Sequence, residues 1–552
     1  MAPAEAKLLG FDVNSQERDI VNAPNAPITR KLTVIQPTGI KTKLPRKIGS
    51  LCPECIRTIM GVIYEDQGRV MLKKSCPDHG EFTDVYYSDV DLFIKFEGYA
   101  IDGVGIDNPH TQLTTGCPYD CGLCNAHTSH PGIVNVDLTN RCNLKCPICF
   151  ANANSAGFVF EPPFEDVVAM MRNLRDLKPV PVQAIQFAGG EPTIYPRFFD
   201  AVKAASDLGF PQIQVATNSI RLAKEPDFAQ KFVDNGGHMI YLQFDGFRDE
   251  SYIRARKRPG FLKEKFQAIE NCRRVRPKPL AVTLVPVIVK NLNNDEVGDI
   301  IRFALNNLDV VRSVNFQPVS FSGRIETEDR MRGRYTQSDL VTDAVAQTGF
   351  LTKNDFFPVP VAAAISEVVS VIHGEGKLAF TCHPACGIGA YVVKGEDGRY
   401  MGVSQFIDID GLYNEALQIA EETQGLKASK VRALVKARRL LKYVDLDKAP
   451  KGVDRVADLL RGVFYDGSKQ GLSEFHWNTL FVGAMHFMDR YNYDIDRVKR
   501  CIVHYATPDG RIIPFCAYNT GPTFRTEIES KFAMTFKEYA ALNGTSEADI
   551  HT

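Results

Sequence analysis

Residues 132–150 read GIVNVDLTNRCNLKCPICF. Residues 132–138 read as a strand, and the loop after them carries Cys142, Cys146 and Cys149 in the spacing C-x3-C-x2-C. Thiolates converging from one compact loop suit three corners of a cubane [4Fe-4S] cluster, and three protein ligands leave one iron open. Beyond the loop the pattern alternates. Residues 164–177 have apolar side chains at helical spacing, and 182–188 form a strand closed by Gly189-Gly190-Glu191-Pro192. A helix can start at Pro196, where a missing amide proton costs nothing, and run to a capping Gly209. Strands are expected at 213–216, 240–244, 282–287 and 313–317, separated by helices near 228–233, 261–275 and 295–305. Such alternation argues for an α/β fold with a parallel sheet, and six units make a partial (β/α)6 barrel whose active residues lie at the carboxyl ends of the strands.

A second triad of the same spacing, Cys117, Cys121 and Cys124, precedes the first and suits an auxiliary cluster. Upstream, Cys52-Pro-Glu-Cys55 and Cys76-Pro-Asp-His79 offer four ligands on two tight turns, which a hairpin around residues 66–68 would bring together. A closed site of that kind suits zinc or a single iron, with His79 or a cysteine from elsewhere as the fourth ligand. Near the end, Cys382, Cys386, Cys501 and Cys516 suit one more cluster, or else Cys501 or Cys516 completes the Cys117 triad. The lone Cys272 is read as core packing on a barrel helix.

The cysteine loop, Gly189-Gly190-Glu191, Ala216-Thr217-Asn218 and Gln243-Phe244-Asp245-Gly246 fall after successive strands, and together they resemble the radical S-adenosylmethionine enzymes over about 132–324. Ile148 departs from that pattern, which usually has an aromatic before the last cysteine; Phe150 is the substitute cover. The resemblance implies that the open iron chelates the amino and carboxylate groups of the cofactor's methionine, and that reduction splits the sulfonium bond to give a 5′-deoxyadenosyl radical. Gly189 and Gly190 would permit close backbone approach, and Glu191 would accept from the ammonium. Thr217, Asn218, Gln243 and Asp245 would contact ribose and carboxylate; ordinary strand-end capping is the alternative for each.

Fourteen cysteines in a chain of 552 residues point to metals or catalysis in a reducing cytoplasm, since the first residues lack the basic and apolar segments of an export signal. No apolar run approaches a membrane span, and a net charge of -1 argues against a nucleic-acid binder. The expected organisation is an extension (1–50), a rubredoxin-like or zinc-ribbon-like metal domain (51–110) and an auxiliary cluster segment (111–131). The radical barrel (132–324) and a C-terminal α+β domain for an auxiliary cluster and substrate (325–552) follow. This order of cysteine sites, with CIVHYATPDGRIIPFCAYN at 501–519, resembles the tetraether lipid synthase family, which implies coupling of lipid alkyl ends. Methylation of a dihydropterin or other small molecule, peptide modification, and a non-catalytic electron carrier are the alternatives. A lipid reading would need a long apolar cavity beside the carboxyl ends of the barrel strands; a compact polar pocket would favour a pterin. Expected partners are a lipid substrate, a ferredoxin or flavodoxin as electron donor, and the inner membrane surface through the basic helix SKVRALVKARRLLKY at 429–443, whose alternative is a solvated helix packed on its domain.

Overall fold

The computed structural model describes residues 33–323, 325, 330–374, 376–423, 429–451, 479–547 and 550. Near the start, β1 (Arg46–Leu51), β2 (Thr58–Asp66), β3 (Arg69–Cys76) and β4 (Gly80–Tyr87) pair antiparallel in chain order. Gln67 and Gly68 both adopt positive φ, which matches the twist of a two-residue hairpin and returns β3 along β2. That pairing sets the knuckle after β1 beside the knuckle after β3.

Six strands then run parallel and adjacent in chain order: β5 (Ile133–Thr139), β6 (Ala184–Gly189), β7 (Gln212–Thr217), β8 (Met239–Gln243), β9 (Ala281–Val285) and β10 (Val311–Pro318). Their two faces differ. Val134, Val136, Ile185, Phe187, Val215 and Leu242 are fully buried in one core with residues of the crossover helices Phe164–Arg175, Phe198–Asp207 and Leu262–Arg273. The opposite face is polar: Asn135, Gln186 and Gln214 sit side by side in register, as do Tyr241, Thr283 and Ser313. Gln186 donates to Asn135 at 2.7 Å and Gln214 donates to Gln186 at 2.6 Å, so an amide ladder crosses three strands.

Residues after 325 supply both edges of this sheet. From that segment, β11 (Gly387–Lys394) and β12 (Thr479–Met485) extend the β10 side, and β13 (Val503–Ala506) and β14 (Ile512–Pro514) extend the β5 side. The nearer strand of each pair, β12 or β13, is parallel to the barrel strand it joins, and the outer one is antiparallel. Open sheet edges present unpaired backbone groups, and these strands satisfy them.

Cys272 is fully buried on Leu262–Arg273, where burial pushes its thiol up, as core packing requires. The basic segment forms a helix, Ser429–Ala437, and a tighter turn, Arg438–Tyr443, laid on the helix Ile409–Thr423 through buried Ala433, Ala437 and Leu440. Lys436 and Arg439 pair with Glu422, and Arg439 and Lys442 with Glu415, so three of its cations face carboxylates of the neighbouring helix. Among the described residues no helix is long and apolar enough to cross a membrane.

Candidate active site and metal centres

The cysteine loop after β5 folds around Asn154. Its Oδ1 accepts from the Cys142 amide at 2.9 Å, and its Nδ2 donates to the Leu144 carbonyl at 3.0 Å and to that of Cys142. Asn154 holds φ +65°, a conformation asparagine tolerates better than most residues. Burial pushes the Cys142 and Cys146 thiols up, and the Arg256 charge opposes this at Cys146. Phe150 packs on Phe515 with centroids 5.3 Å apart, so the aromatic after Cys149 leans toward the C-terminal segment.

The two glycines of the next motif have a neighbour that sequence reading did not supply. A Cβ on Gly189 would lie 2.2 Å from the Thr139 carbonyl oxygen, and one on Gly190 would lie 2.1 Å from that of Arg141. With no side chain in the way, Gly190 donates to Thr139 at 2.7 Å and Glu191 donates to Arg141 at 2.9 Å. The close approach is thus to the chain entering the cysteine loop, and it locks the end of β6 against that loop.

Glu191 is buried, which pushes its carboxyl up. Its Oε1 accepts from the Thr193 hydroxyl (2.6 Å), the Thr193 amide (3.2 Å) and the Thr217 hydroxyl (2.8 Å); its Oε2 accepts from the Asn218 amide at 2.8 Å. Oε2 keeps acceptor capacity, which fits one ammonium donor. Asn218 also donates to Asn143, between the first two cysteines, at 2.6 Å. Asp245 forms a two-point pair with Arg256, and Arg256 reaches the Ile148 carbonyl at 3.0 Å. Gln243 donates to Asp245 and accepts from Lys265 at 3.2 Å. Asn218 and Asp245 therefore brace the loop through protein partners, and Thr217 holds Glu191. Arg256 and Lys265 escaped the sequence reading, because a cation on a helix reads as solvated until its neighbours are known. Lys265 is fully buried, donates to the Asn218 carbonyl at 2.7 Å, and is lowered by burial to about 7.

The other cysteines fall into two places. In the ribbon, the ligand atoms of Cys52, Cys55, Cys76 and His79 all lie within 4.8 Å of one another, and among the described residues no other such group occurs. Cys55 Sγ is 3.8 Å from Cys76 Sγ, and His79 Nδ1 is 3.7 Å from Cys52 and 3.5 Å from Cys76. A tetrahedron with zinc–sulfur bonds of about 2.3 Å has edges of about 3.8 Å, so the set fits one tetrahedral ion with His79 as the fourth ligand. The second place is a core that packs Cys117, Cys121, Cys382 and Cys516 together, with Cys386 and Cys501 against it; Cys124 lines a cavity with Cys117 and Cys121. Cys121 is pushed up by its hydrogen bond with Cys117, by burial, and by the charges of Cys117, Cys124 and Cys501; burial and the charges of Cys386 and Cys501 do the same to Cys382. Cys501 thus packs against the core that both sets share. Buried thiols of this kind need a positive partner to ionise, which a bound metal would supply. Arg497, fully buried, also donates to Cys386 Sγ at 3.3 Å.

Residues 136–304 match the radical SAM superfamily, and residues 44–88 match the HMPTM N-terminal zinc ribbon domain. Over 504 residues the chain is 44% identical to the 7,8-dihydro-6-hydroxymethylpterin dimethyltransferase of Methanocaldococcus jannaschii, covering 91% of this chain and 98% of that protein. The chain belongs to the radical SAM superfamily. A GTP 3′,8-cyclase of Limosilactobacillus fermentum is 24% identical over 232 residues, 42% of this radical SAM protein and 64% of the cyclase. Among solved structures, anSMEcpe with bound AdoMet aligns at a TM-score of 0.32 and 14% identity, covering 62% of this chain and 96% of that one. Membership implies S-adenosylmethionine and a [4Fe-4S] cluster, which Cys142, Cys146 and Cys149 would hold, and the ribbon offers a ligand set for a further metal. The comparisons lend no support to lipid coupling as the activity of this radical SAM enzyme; they match the dihydropterin alternative.

Proposed function

We propose that this radical SAM enzyme installs methyl groups on carbon of a 7,8-dihydropterin, each methyl coming from a one-carbon donor and replacing a carbon-bound hydrogen. The observation that carries the reading is the 44% identity to a dihydropterin dimethyltransferase across 98% of its length. The inner face of the sheet supports it independently. An alkyl chain gains nothing from carboxamides and hydroxyls and would desolvate them, whereas a pterin ring has hydrogen-bonding edges to meet them. Asn135, Gln186, Gln214 and Tyr241 present such groups on that face.

When bound, the cluster and cofactor supply one-electron cleavage of a sulfonium bond and hydrogen abstraction from an unactivated carbon. The residues of this chain do the positioning. Cys142, Cys146 and Cys149 would hold the cubane, Glu191 Oε2 would accept from the methionine ammonium, and the Asn218 and Arg256 links would keep the loop still. A ferredoxin or flavodoxin is the electron donor we propose, since each cleavage consumes one electron.

Anaerobic incubation with S-adenosylmethionine in excess, a reduced one-carbon carrier as a second methyl source, a low-potential reductant and 7,8-dihydro-6-hydroxymethylpterin tests the reading. Mass spectrometry should find the pterin heavier by one or two methyl groups, with 5′-deoxyadenosine formed alongside. Coupled alkyl chains from phospholipid, with the pterin unchanged, would return the assignment to lipid synthesis.

A further inference from the structure

Asp137 lies on the inner face near the carboxyl end of β5, in register with Ala188 of β6 and just ahead of the cysteine loop. It pairs with Arg525, from the C-terminal helix Phe524–Lys531, in an unusual way. Arg525 Nη1 donates to Asp137 Oδ2 at 2.9 Å and to Glu529 Oε1 at 2.7 Å, and Nε donates to Asn519 at 3.0 Å. A two-pronged pair would have satisfied every atom. Instead Asp137 Oδ1 and Arg525 Nη2 are both buried with no hydrogen-bond partner. A buried acceptor and a buried donor left open on the same ion pair are costly, and they are complementary to a ligand that offers a donor and an acceptor side by side.

Aromatic rings adjoin the pair. The Arg525 guanidinium lies 4.6 Å from the Tyr518 ring centre and 5.1 Å from that of Tyr505, and the two rings stack at 4.5 Å. Tyr505 packs on Phe515, which packs on Phe150 beside Cys149, so the pair is joined by continuous contacts to the radical loop. Two carboxylates, Asp137 and Glu529, share one guanidinium, which leaves an excess of negative charge that favours N–H donors. Burial pushes both carboxyls up, and the Arg525 charge opposes this at each.

We propose that Asp137 Oδ1 and Arg525 Nη2 read the lactam edge of a pterin, the carboxylate accepting from N3–H and the guanidinium donating to the C4 carbonyl. This inference rests on the methylation reading and names the groups that select its substrate. A lactam places N–H and C=O on one side. A trans peptide unit points them in opposite directions, and an alkyl chain has neither.

The test is an anaerobic binding titration of the iron-loaded full-length protein with 7,8-dihydro-6-hydroxymethylpterin and with its 2,4-diamino counterpart, which replaces the carbonyl by an amine and leaves N3 without hydrogen. Wild-type protein should prefer the lactam by at least about tenfold, and Asp137→Asn and Arg525→Gln should each erase most of that preference. Equal affinity of the wild type for both compounds overturns the proposal, as does an unchanged preference in folded variants. If either variant fails to fold, the wild-type ratio still decides. Methylated product without lactam preference overturns the edge assignment alone; lactam-selective binding without methylated product overturns the methylation reading alone.

Discussion

Arg256 donates to both carboxylate oxygens of Asp245 at 2.7 Å, and both side chains are buried. The same guanidinium holds the Ile148 carbonyl at 3.0 Å, so an ion pair at the end of β8 fixes the position of the cysteine loop. Asp245→Asn leaves that guanidinium with a weakened partner, and removing one member of a buried pair costs about 3–5 kcal/mol. The variant should melt at lower temperature and form 5′-deoxyadenosine more slowly. Wild-type values in both measurements would deny Arg256 this bracing role.

The two triads should separate in function. Replacing Cys142, Cys146 and Cys149 with alanine should remove one cubane and abolish 5′-deoxyadenosine, while the ribbon metal and auxiliary iron remain. Replacing Cys117, Cys121 and Cys124 should remove iron from the auxiliary core and retain uncoupled cleavage. Iron counting and electron paramagnetic resonance on the two variants measure the division, and cofactor cleavage surviving the first replacement would refute it.

In the ribbon, His79→Ala should lower metal affinity while the radical cluster is retained, because His79 Nδ1 occupies a corner of the tetrahedral set. Metal is expected to stabilise this ribbon, so a chelator should lower its melting temperature as it strips the ion. Full metal content with undiminished affinity in the His79→Ala protein would mean that another group supplies the fourth ligand.

Lys265 should make stability depend on pH. Burial lowers it to about 7, against about 10.4 for an unfolded lysine. Between those values the unfolded chain holds a proton that the folded chain has released, so stability from this residue rises with pH, and the burial penalty is largest below about pH 7. Relative to wild type, Lys265→Met should therefore fare best near pH 6 and lose on the order of 1 kcal/mol per pH unit between about pH 7 and 10. Urea midpoints of both proteins across that range provide the check. A pH-independent difference would show that Lys265 stays protonated throughout.

Much of the fold follows from local patterns, because strand and helix periodicity record which face of a short segment meets the core. The six barrel strands, the hairpin at Gln67-Gly68, and the convergence of Cys52, Cys55, Cys76 and His79 were legible on that basis. The loop carrying Cys142, Cys146 and Cys149 after β5 was legible too, since its three thiols lie close in sequence. The edge strands β11 to β14 were not, because backbone pairing is indifferent to side-chain identity and its partner lies hundreds of residues away. Nor was the burial of Arg256, Lys265 and Arg525: whether a cation on a helix faces water or a carboxylate depends on what packs against it. The sequence by itself determined the membership of the radical SAM superfamily and offered the cysteine loop as its cluster ligands. Only the tertiary structure decided that Gly189 and Gly190 press on the cysteine loop, that Cys501 packs against the core holding Cys117, Cys121, Cys382 and Cys516, and that Asp137 and Arg525 meet with one hydrogen-bonding atom of each left open, since each depends on atoms brought together from distant parts of the chain.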